Sequence, residues 1–305
     1  MVEWDTALVV RECQKGNIVM TSQRIGIIHP GEMGISLAAT AQKSGHQVCW
    51  ASQGRSAQTR ERAAKFDLQD VHTLANLCAT CSLIMSVCPP HAAEIVAQQV
   101  LAHDFTGMYL DANAIAPQRA VRLSQMMTAE GITFVDGGII GGPAWTPGTT
   151  RLYLSGPRAD EIATCFSAGP LETCVIGVDV GKASALKMCF AAYTKGTTAL
   201  LCAILATAEQ LGVREELYQQ WSEDDLDFAQ QVVPRVRQVT AKAWRFVGEM
   251  EEIAATFRDV GLPGEFHTAA ALLYRRLAPF KAAHETPTLE EVLTVLGETE
   301  TKEIR

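Results

Sequence analysis

The feature that most constrains this chain is the stretch RIGIIHPGEMGISLAATAQKSGHQVCWASQGRS at 24–56. A short apolar run (25–28) breaks at a tight turn holding His29, Pro30, Gly31 and Gly34. A helical segment (33–43) follows, Gly45 ends it, and 48–51 reads as a second strand. Strand, glycine turn, helix and strand form the unit in which a dinucleotide pyrophosphate rests on a helix N-terminus. His29, Pro30, Gly31, Glu32 and Met33 are therefore candidate cofactor contacts. In a GxGxxG pattern the first glycine falls on His29, so the motif alone is a weak signal.

The residues after the second strand bear on which dinucleotide binds. An NAD site places a carboxylate there to bind the ribose 2′-hydroxyl, but beyond Ala51 no acid appears before Glu61. The position holds SQGRS, in which Arg55 and Ser56 are suited to a 2′-phosphate. The competing reading of Arg55 is a solvated turn residue. The missing acid favours NADP over NAD.

Composition narrows the rest. A formal net charge of -8 over 305 residues argues against nucleic acid or an anionic membrane as partner. Nine scattered cysteines and no secretory apolar segment point to a reduced, cytoplasmic setting, and no apolar run of membrane-span length is expected. Cys78 and Cys81 form a CxxC without the further ligands of a zinc site, so packing is expected there and no metal. Residues 1–22 read as an N-terminal extension, with Met20 an alternative start.

Further strands are expected at 82–87, 107–112, 132–138, 152–156 and 173–177, with helices at 92–100, 118–130 and 159–169. Alternation of this kind predicts a parallel sheet whose ligands lie beyond the C-terminal strand ends, where Cys88, Pro89, Pro90, Asn113 and the glycines of 137–142 fall. From 182 to 211 the chain has no proline and one interior glycine. Helices are also expected at 241–261, 265–280 and 288–296, the last opened by a Thr288/Glu291 capping box. The predicted fold is α/β: an N-terminal Rossmann-type doubly wound sheet (23–180), then an all-helical C-terminal domain (181–305).

Lys187 stands among small and apolar neighbours in ASALKMCFAAYTKG, with Thr194 on its helical face and Lys195 rotated by about 80°. If desolvated, it would suit acid/base chemistry near neutral pH; spacing alone favours a lysine snorkelling to the surface. The GGIIGGPAWTPGTT segment, with Gly141 and Gly142, leaves backbone amides free for an anion, or is an ordinary loop. His267 is a candidate second acid/base group or a structural histidine, and His29 and His91 lie near the expected cofactor edge.

Taken in order, four motifs resemble the β-hydroxyacid dehydrogenase superfamily, which includes 3-hydroxyisobutyrate and 6-phosphogluconate dehydrogenases. IGIIHPGEMG looks like its IGFIGLGxMG, DANAIAP like its DxSTxxP, FVDGGIIGGPAWTPGTTRLYLSG like its FLDAPVSGGxxGAxxGTLxxMxGG, and GKASALK like its catalytic-lysine segment. With SVCPPHAA and GEFHTAAALLYRRL, the chain is most similar to the phosphogluconate dehydrogenase-like subgroup whose C-terminal domain has no assigned function.

The resemblance implies a dinucleotide domain, a helical domain that makes a homodimer, and an active site between the two. It implies the general acid/base at Lys187, an anion loop at Gly141 and Gly142, and nicotinamide-side contacts at Cys88, Pro89 and Asn113. The family's serine before the paired glycines is Ile140 here, its asparagine four residues beyond the lysine is Ala191, and a cofactor-proximal lysine falls on Gly248. These departures point away from 3-hydroxyisobutyrate. The expected function is an NADP-dependent oxidoreductase acting on a small hydroxyacid-like or carbonyl substrate. Imine reduction on the same scaffold, or a non-catalytic NADP-binding regulatory role, are the alternatives.

Overall fold

The computed structural model describes residues 22–298; the expected extension lies outside these save for Ser22. The chain opens with β1 (Arg24–Ile27), α1 (Glu32–Lys43) and β2 (Gln47–Trp50), followed by α2 (Ala57–Lys65), β3 (Gln69–Asp70) and α3 (Leu74–Thr80). The sheet continues through β4 (Leu83–Ser86), α4 (Ala93–Leu101), β5 (Met108–Asp111), α5 (Pro117–Ala129) and β6 (Thr133–Gly141). It ends with β7 (Thr150–Ser155), α6 (Ala159–Thr164) and β8 (Glu172–Gly177). Strand order is β3-β2-β1-β4-β5-β6-β7-β8, so the order reverses between β1 and β4. The crevice at that reversal is where open α/β sheets bind ligands.

Burial explains the strands. Residues of β1, β4 and β5 are covered on both faces, with one apolar cluster containing Ile25, Ile27, Leu83, Met85 and Leu110 and another containing Ile84, Tyr109 and Phe134. Cys78 and Cys81 lie in the second cluster as free, buried thiols, where burial raises the Cys78 thiol to about 11. They pack, as expected.

The sheet departs from the all-parallel expectation at one place. β7 pairs antiparallel with β6, because the chain returns through 142–149 without a helix, and a parallel return needs a crossover. α2, β3, α3 and α8 (Arg214–Asp224) occupy stretches for which the sequence reading assigned no element.

The remaining chain is helical: α7 (Lys182–Leu211), α8, α9 (Leu226–Asp259), α10 (Glu265–Arg276) and α11 (Leu289–Gly297). α9 begins well before the expected 241 and carries Pro234 in its interior. At 30 residues α7 is about 45 Å long. Contrary to expectation, it is long and apolar enough to cross a membrane by length and composition. Here it is a core helix, and Met188, Ala191, Ala199, Cys202 and Leu205 join residues of α9, α10 and α11 in one apolar cluster.

α7 is fastened to the sheet by a buried carboxylate. Its N-cap is Gly181, whose missing side chain satisfies none of the free amides of the first turn. Asp136 of β6 accepts from Gly181 N, Ser184 N and Ser155 Oγ at 3.0 Å each, and from Ser184 Oγ at 2.6 Å. Ser155 Oγ accepts from Ala183 N at 3.0 Å. Burial drives the Asp136 carboxyl upward, and the bonds from Ser184, Ser155 and Gly181 oppose it. Gly138 allows the close contact, since a Cβ there would stand 2.6 Å from the Ala183 carbonyl. Across the seam, Glu252 of α9 accepts from Ala116 N at 2.7 Å and pairs with Arg119 at 2.5 Å.

Replacing Asp136 by alanine removes a cap and leaves several buried donors without partners. Asp136→Ala should lower the unfolding free energy by about 3 kcal/mol or more in urea titration, and Asp136→Asn by less. A change within about 0.5 kcal/mol, the range of an ordinary surface substitution, would contradict this role.

Candidate active site

The β1–α1 turn keeps the shape its residues require. Gly31 is the N-cap of α1, its N–H donating to His29 O at 2.8 Å and its carbonyl accepting from Ile35 N at 2.9 Å. A Cβ on Gly34 would lie 2.4 Å from the His29 carbonyl, so only glycine fits. A Cβ on Gly31 would meet nothing within 4 Å, which leaves open space over the helix N-terminus. Pro30 is buried and its carbonyl accepts from Arg62 at 3.4 Å. Met33 packs against the core, and exposed Glu32 faces Arg245 of α9 at 3.4 Å.

His29 and Arg55 share this crevice. Burial, aided by the charge of Arg55, pushes the His29 imidazole down to about 4, so it is neutral at physiological pH. Arg55 turns inward, within electrostatic reach of both His29 and the Cys88 thiol. His29 Nδ1 and Arg55 Nε are buried and find no hydrogen-bond partner among the described residues. Two orphaned polar nitrogens beside an open helix N-terminus fit a phosphate-bearing dinucleotide. Ser56 is the N-cap of α2, its Oγ accepting from Thr59 N at 3.3 Å.

The ends of β4 and β5 are tied together. Asn113 accepts from Cys88 N at 2.6 Å through Oδ1, and its Nδ2 donates to Ser86 Oγ at 3.1 Å and to Asp111 at 2.9 Å. Burial raises Asp111 to about 7 and the Cys88 thiol to about 12, so Cys88 is not a thiolate. Pro89 caps a single 3₁₀ turn that opens at Pro90, where α9 arrives, a Cβ on Gly248 lying 3.8 Å from Pro90. The Gly248 position thus stands beside the expected nicotinamide-side loop.

Lys187 points from α7 to the end of β6, where its Nζ donates to Ile139 O at 2.6 Å. It is not a surface lysine. Burial, with a smaller contribution from Lys195, lowers it to about 8, and Glu249 acts in the opposite sense. Two residues beyond Ile139, Gly141 has φ +122 and a Cβ there would strike the Thr149 carbonyl at 2.3 Å. Gly142 is exposed and unobstructed, its carbonyl held by Thr150 Oγ1 at 2.7 Å. Ser36 of α1 accepts from Ala144 N at 3.0 Å, joining this loop to the cofactor helix.

Sequence reading missed Glu249. Its carboxylate pairs with Lys195, both side chains about 85% buried, and Lys195 also lies over the Phe246 ring at 4.4 Å. Arg245, Glu249 and Glu252 recur at helical spacing on α9, a signal readable in RFVGEMEEIA once the helix is placed. Thr194 and His267 are each engaged by other groups. The Thr194 hydroxyl donates to Phe190 O at 3.1 Å, and its carbonyl accepts from Arg235 at 2.8 Å. His267 is buried against Phe257, Phe266 and Gly196, nine residues along α7 from Lys187 and hence about 13 Å away along the axis.

Comparison with known proteins agrees with this architecture. Residues 24–164 match the NAD binding domain of 6-phosphogluconate dehydrogenase, and 208–277 match a domain of unknown function, DUF1932. An uncharacterised 28.5 kDa protein of Methanothermus fervidus is 31% identical over 196 residues, covering 64% of this chain and 74% of that one. Among solved structures, the conserved protein MTH1747, described as structurally similar to 3-hydroxyacid dehydrogenases, has a TM-score of 0.65 at 27% identity over 90% of this chain and 100% of its own. Mycobacterium tuberculosis 3-hydroxyisobutyrate dehydrogenase shares the fold with a TM-score of 0.65 at 16% identity, covering 91% of this chain and 100% of that one. The chain belongs to the β-hydroxyacid dehydrogenase superfamily and carries a C-terminal DUF1932 domain. It is thus a nicotinamide-dependent oxidoreductase in general class.

If Arg55 meets a 2′-phosphate, Arg55→Ala should weaken NADPH about tenfold or more, the loss of one charge-assisted contact, and leave NADH nearly unchanged. Fluorescence titration of both reduced cofactors measures this. Equal affinities in the unaltered protein would refute the assignment.

Proposed function

We propose that this protein is an NADP-dependent oxidoreductase that uses Lys187 as general acid/base on a small carbonyl or hydroxyacid-like substrate. One observation carries the reading: a lysine buried between α7 and the end of β6, lowered to about 8 and held by the Ile139 carbonyl, at the C-terminal edge of a dinucleotide-binding sheet. The inward Arg55 and the absence of an acid after β2 support NADP. Bound NADPH supplies the hydride, or NADP accepts it, at the nicotinamide ring. Lys187 gives a proton to the substrate oxygen during reduction or takes it during oxidation. Burial lets the amine do both near neutral pH, because neither form is strongly preferred.

Ile140 and Ala191 supply no polar group where hydroxyisobutyrate-type members of the superfamily place a serine and an asparagine. The substrate is then held by other groups, with the Gly141 and Gly142 backbone and Lys195 at hand. The helical domain also presents Leu186, Phe190, Tyr193 and Leu200 as an exposed apolar stripe along α7, which suits a second copy of the chain.

Lys187→Ala should lower kcat/KM by about 100-fold or more while leaving NADPH affinity within about twofold. Turnover is sought with NADPH and a panel of ketoacids, aldehydes and cyclic imines, and with NADP and hydroxyacids. Unchanged turnover in the variant would overturn the role of Lys187, and turnover confined to imines would move the substrate from oxygen to nitrogen. The sign of the pH dependence follows from the lysine's two forms: reduction needs the protonated amine and should fall as pH rises through about 8, whereas oxidation should rise over the same interval.

A further inference from the structure

The β4–β5 ladder ends at the pair Ser86 and Asp111, with Ala112 N donating to Ser86 O at 2.9 Å, and a side chain carries it one rung further. Asn113 Oδ1 accepts from Cys88 N at 2.6 Å, where a continued ladder would use a backbone carbonyl. Both Nδ2 hydrogens of Asn113 are committed as well, to Ser86 Oγ at 3.1 Å and to Asp111 Oδ2 at 2.9 Å. Asp111 Oδ1 takes the Asn113 N–H at 3.0 Å, so one carboxylate grips the backbone and the side chain of the same residue. An ionised carboxylate only accepts, and Asp111 therefore turns the Asn113 amide with its NH2 inward and its oxygen toward Cys88. Ser86, Asp111 and Asn113 are all buried, and the Asn113 side chain is spent within the protein.

The residues that follow cannot fix themselves. Pro89 and Pro90 have no N–H, and the Cys88 N–H is the one given to Asn113. Strand order sets this turn on the path of a bound dinucleotide. Arg55 follows β2, the open helix N-terminus follows β1, and Lys187 ends on β6, with β4 and β5 between. At about 4.8 Å per strand, the three spacings from β1 to β6 come to about 14 Å. The half of the dinucleotide beyond the pyrophosphate thus crosses the ends of β4 and β5 to reach Lys187.

We propose that Asp111 and Asn113 are positioning residues for the nicotinamide half of the cofactor: without touching it, they fix the 87–90 turn against which that half is laid. The inference rests on the reading of this crevice as an NADP site. The adenine half, held from β1 and β2, does not depend on the clasp.

Two ligands separate the halves. NADPH carries both, whereas adenosine 2′,5′-bisphosphate carries the adenine and the 2′-phosphate alone, and isothermal titration gives a dissociation constant for each. Asp111→Asn leaves one acceptor for two Asn113 donors. It should weaken NADPH about fivefold or more, the weight of one buried hydrogen bond, and leave the bisphosphate within about twofold. Asn113→Asp should act likewise, since two carboxylates then face each other. Combining Asp111→Asn with Asn113→Asp restores every bond. The amide at 111 donates to the carboxylate at 113 and accepts from the backbone N–H there, the free carboxylate oxygen accepts from Cys88 N, and Ser86 turns its hydroxyl to donate. NADPH affinity in this exchange variant should return to within about twofold of the unaltered protein.

Circular dichroism checks folding, and Asn113→Ala carries the same comparison if Asp111→Asn does not fold. Selective loss of NADPH with recovery on exchange supports the proposal. Equal losses for the two ligands, unchanged NADPH affinity in a folded single variant, or an exchange variant no better than the singles overturns it. If the unaltered protein binds neither ligand, the NADP reading falls and the proposal with it; losses shared equally by both ligands leave that reading standing and remove the proposal alone.

Discussion

The site depends on one hydrogen-bonded carboxylate. Asp136 sits in the middle strand region of a mixed sheet and receives donors from Gly181, Ser184 and Ser155, so a single buried group joins β6, β7 and the first turn of α7. Because Gly181 has no side chain to cap its own helix, that satisfaction has to come from the sheet. The consequence reaches the chemistry directly. Lys187 lies just under one turn beyond Ser184, the last of the capped amides, and its ammonium ends on the carbonyl of Ile139, three residues along the strand that carries Asp136. One strand therefore fixes both the root of the helix and the landing place of the Lys187 side chain.

A second set of contacts brings α9 across the strand ends. Arg245 reaches Glu32 at the cofactor turn, Glu249 reaches Lys195, and Glu252 reaches Arg119 and the Ala116 amide. These residues share one face, so a single rotation of α9 sets all three. Gly248 on the same stretch lets the helix pass near Pro90. Burial then does to Lys187 what it does to any amine withdrawn from water, lowering it to about 8.

What could be read from the sequence follows from how local each feature is. The Thr288/Glu291 capping box is present as expected, since both of its hydrogen bonds lie within four residues. The 182–211 helix has the expected limits because glycines flank it and no proline interrupts it. α2 and α8 escaped notice for a physical reason: α2 buries only Ala63 and α8 buries nothing fully, so neither shows apolar periodicity. α9 extends well N-terminal of the expected 241–261, and Pro234, a helix breaker by sequence, lies inside it without ending it. The antiparallel β7 lay in plain view as a glycine-rich return with no crossover helix. At the site, Lys187 was ambiguous from spacing, since its surroundings depend on β6, some 48 residues earlier. Spacing in RFVGEMEEIA puts Glu249 on one helical face with Arg245 and Glu252, but its partner Lys195, 54 residues away on another helix, is not legible that way. The motif order of the superfamily, not periodicity, resolved the lysine.

The central claim is that the orphaned nitrogens of His29 and Arg55 and the buried amine of Lys187 belong to one continuous cofactor and substrate crevice. A crystal structure of the NADPH complex measures this most directly. The account predicts the pyrophosphate over the N-terminus of α1, the 2′-phosphate on Arg55, and nicotinamide C4 facing Lys187 Nζ with room for one carbonyl group between them. A cofactor bound with its nicotinamide turned away from Lys187, or with Arg55 still unpartnered, would contradict it.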